Sequence, residues 1–449
     1  MTPAAASTAI PASPSPLPAA LFARARAAAA PQVTGVVTGA MGLTLTVEGI
    51  VAAVGDLVEI NPGARPLLAE VVAVGRDRLT CMPLGTLSGV HSGAPVRATG
   101  RPLQVPVGEA LLGRVLDGLG RPVDGGPPLA SHVSWVDLAS ETPHALARTR
   151  VEEPLTFGVR ALDTLVPCGK GQRLGIFAGS GVGKSSLLAQ ITRGTDADVR
   201  VIGLIGERGR EVREFLEENL GPEGMARTVV VVATSDEPPL VRLKAAFVAT
   251  RIAEAFRDQG RDVLLLMDSI TRTAMAQREV GLSAGEPPAT RGYPPSVFAM
   301  MPQLLEKAGT GAVGSITGLY TVLVEGDDHN EPIADTARSI LDGHIVLTRS
   351  LATVGHFPAI DVLESISRVA TAVVPPALMT DAREIRRLMG ALRDVKELIE
   401  IGAYQAGSDP LVDRARNLAP QIEAFLQQPM GESTPTADAW AWLQRIIRS

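Results

Sequence analysis

Hydrophobic and polar positions follow three different rhythms along the chain. Residues 33 to about 105 carry short β-type runs, Leu43-Thr-Leu-Thr-Val47, Leu57-Val-Glu-Ile60 and Ala69-Glu-Val-Val-Ala-Val74, broken by Gly, Asn-Pro and Asp. Short runs punctuated by turn residues predict a small β-barrel over 32–105. From 106 to 375 the runs become almost wholly apolar: Arg200-Val-Ile-Gly-Leu-Ile205, Thr228-Val-Val-Val-Val232, Val263-Leu-Leu-Leu-Met267 and Thr321-Val-Leu-Val324 alternate with helical stretches. Strands apolar on both faces belong in a parallel sheet covered by crossover helices, so this part reads as an α/β domain. After Pro375-Pro376, Ile385, Leu388, Leu392, Val395 and Leu398 recur at spacings of three and four. That pattern predicts helix from Asp381 to Glu400 within a helical C-terminal domain, 376–449.

Residues 1–31 form an N-terminal extension. Its first part mixes Ala, Pro, Ser and Thr, too little apolar surface to offset the entropy of ordering, and is expected to be disordered. Leu21 to Ala30 holds strong helix formers and two arginines, and reads as a short helix that forms on a partner. A chain of 449 residues exceeds one hydrophobic core, in keeping with several domains.

Composition narrows the function. Only 3% of residues are aromatic and the formal charge is −6, which argues against a base-stacking platform or a basic nucleic-acid footprint. Cys81 and Cys168 stand far apart, and the six histidines show no ligand spacing, so neither a disulfide framework nor a His/Cys metal site is expected. No apolar run long enough to span a bilayer and no secretory signal pattern occur, so a soluble cytoplasmic protein is expected.

The strongest local signal is Leu174-Gly-Ile-Phe-Ala-Gly-Ser-Gly-Val-Gly-Lys184-Ser185-Ser186, an apolar strand running into a glycine-rich turn and then a helix pattern. Glycines let backbone N–H groups converge on a polyphosphate, a helix N-terminus favours negative charge, Lys184 adds a cation and Ser185 a hydroxyl for Mg²⁺. Ala178 stands where the strict pattern has glycine, but Gly179, Gly181 and Gly183 remain, with Ser180 and Val182 between them and Ser186 after. The alternative is a flexible loop with an incidental lysine.

Asp268 ends the most apolar strand and would sit at the sheet's carboxyl edge beside this loop, where an aspartate holds magnesium, usually through water. The alternative is a cap for the helix that follows. Glu207 and Glu211, in Gly206-Glu-Arg-Gly-Arg-Glu-Val, begin at the same edge and continue onto a helix, sharing a face. Glu207 suits the carboxylate that orients or deprotonates an attacking water, and Glu211 one that orders the metal's waters. Spacing alone equally allows a solvated helix of Glu–Arg pairs.

Together with Ala289-Thr-Arg-Gly-Tyr-Pro-Pro-Ser-Val297, Glu325-Gly-Asp-Asp-His-Asn-Glu-Pro332 and Leu341-Asp-Gly-His-Ile-Val-Leu347, these strings resemble the type III export ATPases, cousins of the catalytic subunit of rotary ATP synthases. The likeness runs over roughly residues 33–449, and Gly-Ser-Gly-Val-Gly at 179–183 favours the flagellar branch over the injectisome one. The resemblance implies a RecA-like P-loop ATPase core between an N-terminal small β-barrel and a C-terminal helical domain. It implies ATP and Mg²⁺, with Lys184 on the β- and γ-phosphates, Ser185 and water-bound Asp268 on the metal, Glu211 behind it, Glu207 activating water, and Arg208 and Arg272 near the departing phosphate.

It also implies that Phe357 meets adenine and that Arg368 is a finger reaching a neighbouring subunit's site. Read without the family, Phe357 is equally a core aromatic before a proline turn, and Arg368 a structural ion pair. Implied partners are five further copies in a homohexamer, a stator-like regulatory protein near 21–30, a central stalk protein, export chaperones at the helical domain and the membrane export gate. The rivals are an injectisome ATPase or rotary synthase subunit, a hexameric nucleic-acid translocase, and a nucleotide-binding regulatory subunit without turnover.

Overall fold

The computed structural model describes residues 33–61, 66–129, 133–324 and 331–449. The extension 1–31, with its expected short helix, and the string 325–330 lie outside the described residues.

Six strands, β1 (Thr34–Met41), β2 (Thr44–Glu48), β3 (Asp56–Ile60), β4 (Leu67–Val74), β5 (Arg78–Pro83) and β6 (Pro95–Pro102), close into a barrel in the order β1-β2-β5-β4-β3-β6. Alternate residues point inward, and Val37, Leu45, Val47, Val58, Ile60, Val71 and Cys81 fill its interior. Burial pushes the Cys81 thiol up to about 12, so it packs as a small hydrophobe.

The central unit is a sheet in the order β14-β13-β8-β12-β11-β9-β10-β7, with a two-residue strand, Gly309–Thr310, added antiparallel to β12. Its members are β7 (Val115–Asp117), β8 (Arg173–Ala178), β9 (Val199–Ile205), β10 (Thr228–Ala233), β11 (Asp262–Asp268), β12 (Ser315–Leu323), β13 (Gly343–Leu347) and β14 (Ile360–Ser367). From β13 to β7 every pairing is parallel, while β14 runs antiparallel at the edge. Both faces are covered. Phe177, Val201 and Leu265 join one apolar cluster and Ile176, Ile202 and Leu266 the other, which is why the sequence runs show no alternation.

Helices α1 (Arg160–Leu165), α2 (Lys184–Gly194), α3 (Gly209–Glu214), α4 (Pro239–Arg257) and α5 (Ile270–Ser283) belong to this unit. The C-terminal part is helical, with α6 (Pro376–Asp394), α7 (Pro410–Leu426) and α8 (Thr436–Arg448). It docks through Arg160, whose guanidinium lies over the Trp442 ring at 4.7 Å and donates to the Phe425 carbonyl at 2.9 Å.

The single helix expected over Asp381–Glu400 is broken. The first helix ends at Asp394, Val395 leaves helical geometry, and a short helix, Lys396–Glu400, turns away so that Leu398 is 46% exposed. Apolar spacing continues across the break, but the face it defines no longer meets the core. Among the described residues no helix is long and apolar enough to cross a membrane.

Candidate functional site

β8 delivers the chain to the carboxyl edge of the sheet at Ala178, and α2 starts at Lys184. In the turn between them Gly181 and Gly183 have φ of +78° and +85°, a region costly for any side chain. Gly183 is the helix N-cap and offers no side-chain acceptor, so the first amides of α2 are left for a ligand. A cavity of about 580 Å³ opens here. Ala178, Gly179, Ser180, Gly181, Gly183, Lys184, Ser185 and Ser186 all border it. Val182 does not: its side chain is 1% exposed and packs in the core, so it offers main chain alone.

Lys184 is the centre of the charge arrangement. Its Nζ lies 2.5 Å from Asp268 Oδ1 and 3.5 Å from Glu207 Oε1. Burial alone would lower the ammonium's pKa, but Asp268 and Glu207 outweigh it and hold it above the ordinary value, so the cation persists. Asp268 is 3% exposed and also accepts from Thr321 Oγ1 at 2.7 Å, which fixes the carboxylate from the adjacent strand. It is not the cap of α5; Ser269 fills that role, its hydroxyl accepting from the Arg272 amide at 3.2 Å.

Glu207 sits in the turn after β9, before α3 begins, so it does not share a helix face with Glu211 as the spacing suggested. The two meet because both border the cavity. Burial pushes the Glu207 carboxyl up, Lys184 opposes this, and Asp268 and Glu211 add to it. A raised carboxyl facing a cavity is suited to accepting a proton near neutrality. The surface Glu–Arg pairs that spacing also allowed exist further on: Glu211 faces Arg208 at 3.5 Å and Arg213 faces Glu217 at 2.8 Å.

Arg208 is largely exposed at the N-cap of α3 and borders the cavity. Arg272, in the first turn of α5, borders it too, and its Nε is buried without a hydrogen-bond partner among the described residues. A Cβ on Gly206, where φ is +73°, would stand 2.9 Å from Arg272 Cβ, so glycine is what lets the arginine close in.

Phe357 is no core aromatic: it is 45% exposed, with ring atoms 3.2 and 3.3 Å from where a Cβ on Gly183 would be. It therefore flanks the phosphate turn. Among the described residues Arg368 forms no ion pair; its Nη2 donates to the Arg338 carbonyl at 3.4 Å. It follows β14, which starts at the carboxyl edge opposite Leu347 and ends at the amino edge opposite Gly343. Arg368 therefore stands roughly 20 Å from its own phosphate turn, at about 3.3 Å per strand residue.

Two contributors escaped the sequence reading. Thr321 was visible only as a polar residue in an apolar strand. Arg349, which opens the one-turn helix Arg349–Thr353 and borders the cavity, has no acidic partner among the described residues. Recognising Ile345–Leu347 as a strand ending at the same edge would have flagged it.

The chain matches the nucleotide-binding domain of the ATP synthase alpha/beta family over residues 158–367 and that family's beta-barrel domain over 37–100. Residues 374–445 match the T3SS EscN ATPase C-terminal domain. The Flagellum-specific ATP synthase of Bacillus subtilis (strain 168) is 49% identical over 401 residues, 89% of this chain and 91% of its own length. The Type 3 secretion system ATPase of Xanthomonas euvesicatoria is 51% identical over 397 residues, 88% of this chain and 90% of its own. The assembled ATPase EscN of the enteropathogenic E. coli type III secretion system superimposes with a TM-score of 0.88 at 46% identity, covering 92% of this chain and 100% of that one. EscN in complex with its central stalk EscO gives 0.86 at 45% identity. With a glycine turn, lysine and paired carboxylates at the end of a shared fold, and half its residues in common with relatives matched nearly end to end, this chain belongs to the type III export ATPases of the ATP synthase alpha/beta family.

Proposed function

We propose that this ATPase energises flagellar export, and that it cuts Mg²⁺-bound ATP only where a neighbouring copy completes the site. The observation that carries the second half is the position of Arg368: exposed, without an acidic partner among the described residues, and at the sheet edge opposite its own phosphate turn. An arginine so placed lies away from its own nucleotide and open to a neighbour's, which supports this reading, and EscN, a structural relative, is an assembled ATPase.

In this reading Lys184 exchanges its carboxylate partners for the β- and γ-phosphates. Glu207 then takes the proton of the attacking water, Arg208 and Arg272 meet the departing phosphate, and Phe357 stacks on adenine. Ser185 and Asp268 supply hard oxygens of the kind Mg²⁺ takes, with Glu211 behind them. Among the described residues no three His, Cys, Asp or Glu side chains form a ready metal cage, and Mg²⁺ needs none, since it keeps waters and leans on substrate phosphates. When bound, the ion would neutralise charge on the phosphate oxygens.

Six copies would form a ring around a central stalk, as EscN is seen with EscO. A stator-like protein would hold the extension near 21–30, chaperones would meet the helical domain, and the ring would face the export gate at the cytoplasmic side of the inner membrane. The flagellar branch rests on Gly-Ser-Gly-Val-Gly at 179–183. A deletion strain that loses filaments but keeps injectisome secretion bears it out; the opposite phenotype sinks it.

The test of the shared site mixes Arg368→Ala with Glu207→Gln. Each variant alone loses turnover, by about 10³–10⁵-fold for the arginine. Random mixing makes roughly one interface in four intact, joining a sound cradle to a sound finger, so activity returns. A mixture as dead as its components refutes the proposal.

A further inference from the structure

Phe357 and the residue before it are both tied to the helical C-terminal part, by contacts the hydrolysis chemistry does not use. His356 is 2% exposed, and its Nδ1 lies 2.7 Å from Glu423 Oε1 on α7. A carboxylate can only accept, so Nδ1 carries the proton. The same Glu423 oxygen accepts from Gln427 Nε2 at 3.0 Å. One residue further, the Phe357 carbonyl accepts from the Gln428 amide at 2.9 Å. Gln428 is itself 2% exposed and anchored, its side chain accepting from the Arg160 amide at 2.9 Å and donating to the Gly158 carbonyl at 2.8 Å.

The need for such ties follows from the ring's surroundings. Nearly half of Phe357 is open to solvent, and the face toward Gly183 meets a residue without a side chain. Packing alone gives the ring little to lean on. Its direction is set instead by the backbone of 356–357, which is held on the other side by Glu423 through a buried imidazole and by Gln428 through the main chain.

We propose that Glu423 and His356 are positioning residues for the nucleobase: from the helical domain they hold the Phe357 ring where it stacks on adenine, and so set affinity for the base without touching the polyphosphate. This rests on Phe357 being the base contact. Two ligands that are not hydrolysed at this site separate the parts: ADP, which needs both turn and ring, and inorganic pyrophosphate, which needs the turn alone.

Calorimetric titration of the full chain tests the idea. Phe357→Ala weakens ADP by about 5- to 150-fold, the worth of one base–aromatic stack, and leaves pyrophosphate unchanged. Glu423→Ala weakens ADP by about 2- to 12-fold, the worth of one hydrogen bond, again sparing pyrophosphate. Glu423→Gln, whose amide oxygen still accepts from Nδ1, restores ADP binding. In the Phe357→Ala background Glu423→Ala adds nothing, because its effect passes through the ring.

Glu423 is half exposed, so its replacement leaves the core intact; His356→Leu removes the same bond from the other side and gives the same ADP-selective loss. Equal weakening of ADP and pyrophosphate by Glu423→Ala would overturn the proposal, as would unchanged ADP binding in both Glu423→Ala and His356→Leu. If Phe357→Ala itself leaves ADP binding intact, the assignment of Phe357 fails first.

Discussion

Replacing Lys184 with methionine keeps the stem and removes the charge held between Asp268 and Glu207. Asp268 retains the bond from Thr321 at 2.7 Å, while Glu207, 17% exposed at its side chain, faces it without a counter-charge. Leaving a buried charge uncompensated costs about 3–5 kcal/mol. The carboxylates escape by taking up one proton, and Glu207 accepts it, since burial and Asp268 already push its carboxyl above the ordinary 4.5. Protonating an acid of that ordinary value costs about 3.4 kcal/mol at pH 7 and about 0.7 kcal/mol at pH 5, at about 1.36 kcal/mol per unit, so proton uptake caps the loss.

The sign follows from linkage. The folded variant binds this proton more tightly than the unfolded chain, so its deficit is relieved below the unfolded value and complete once pH has risen through the folded one. Urea unfolding of nucleotide-free protein at pH 5, 6 and 7 should show the variant about 3 kcal/mol less stable than wild type at pH 7, the gap closing by about 1.4 kcal/mol per unit on acidification. Adding Asp268→Asn should abolish that slope. A gap that does not change with pH, or a variant as stable as wild type at pH 7, would refute the reasoning.

Glu207→Gln should lower turnover by about 10²–10⁴-fold while nucleotide binding persists, measured as steady-state hydrolysis beside calorimetry. Because the Glu207 carboxyl is raised, its proton-accepting form disappears on acidification earlier than a free glutamate's would; kcat/KM should therefore fall with decreasing pH through a value above 4.5, and a flat acidic limb would contradict this. Gly206→Ala must hold φ near +73° and push against Arg272, so it should lose about 1–2 kcal/mol from backbone strain alone and lose turnover as well. Wild-type thermal midpoint and rate in that variant would show that the turn relaxes.

What the sequence disclosed is what local chemistry encodes. Glycines at 179, 181 and 183, the lysine after them and an aspartate closing an apolar strand constrain backbone and charge within a few residues of themselves. Arg349 was missed because nothing near it in sequence ties it to the phosphate turn; the parallel pairing of Ile345 with Ile176 does that across some 170 residues. The Glu207–Glu211 relation was misjudged because helix periodicity was extended through a turn. Leu398 was misplaced because apolar spacing cannot see the break at Val395. Phe357 and Arg368 were ambiguous for a common reason: exposure is a property of the sheet edge on which a residue stands.

The antiparallel edge strand β14 has a mechanical corollary. Phe357 comes shortly before its first residue and Arg368 immediately after its last, so a single edge strand, bulged between Asp361 and Ile366, joins them. With the roles proposed above, one end senses whether this copy holds a base and the other steers catalysis next door. A shift of that strand would couple adjacent turnovers without any dedicated signalling element, favouring firing in order around the ring over firing at random.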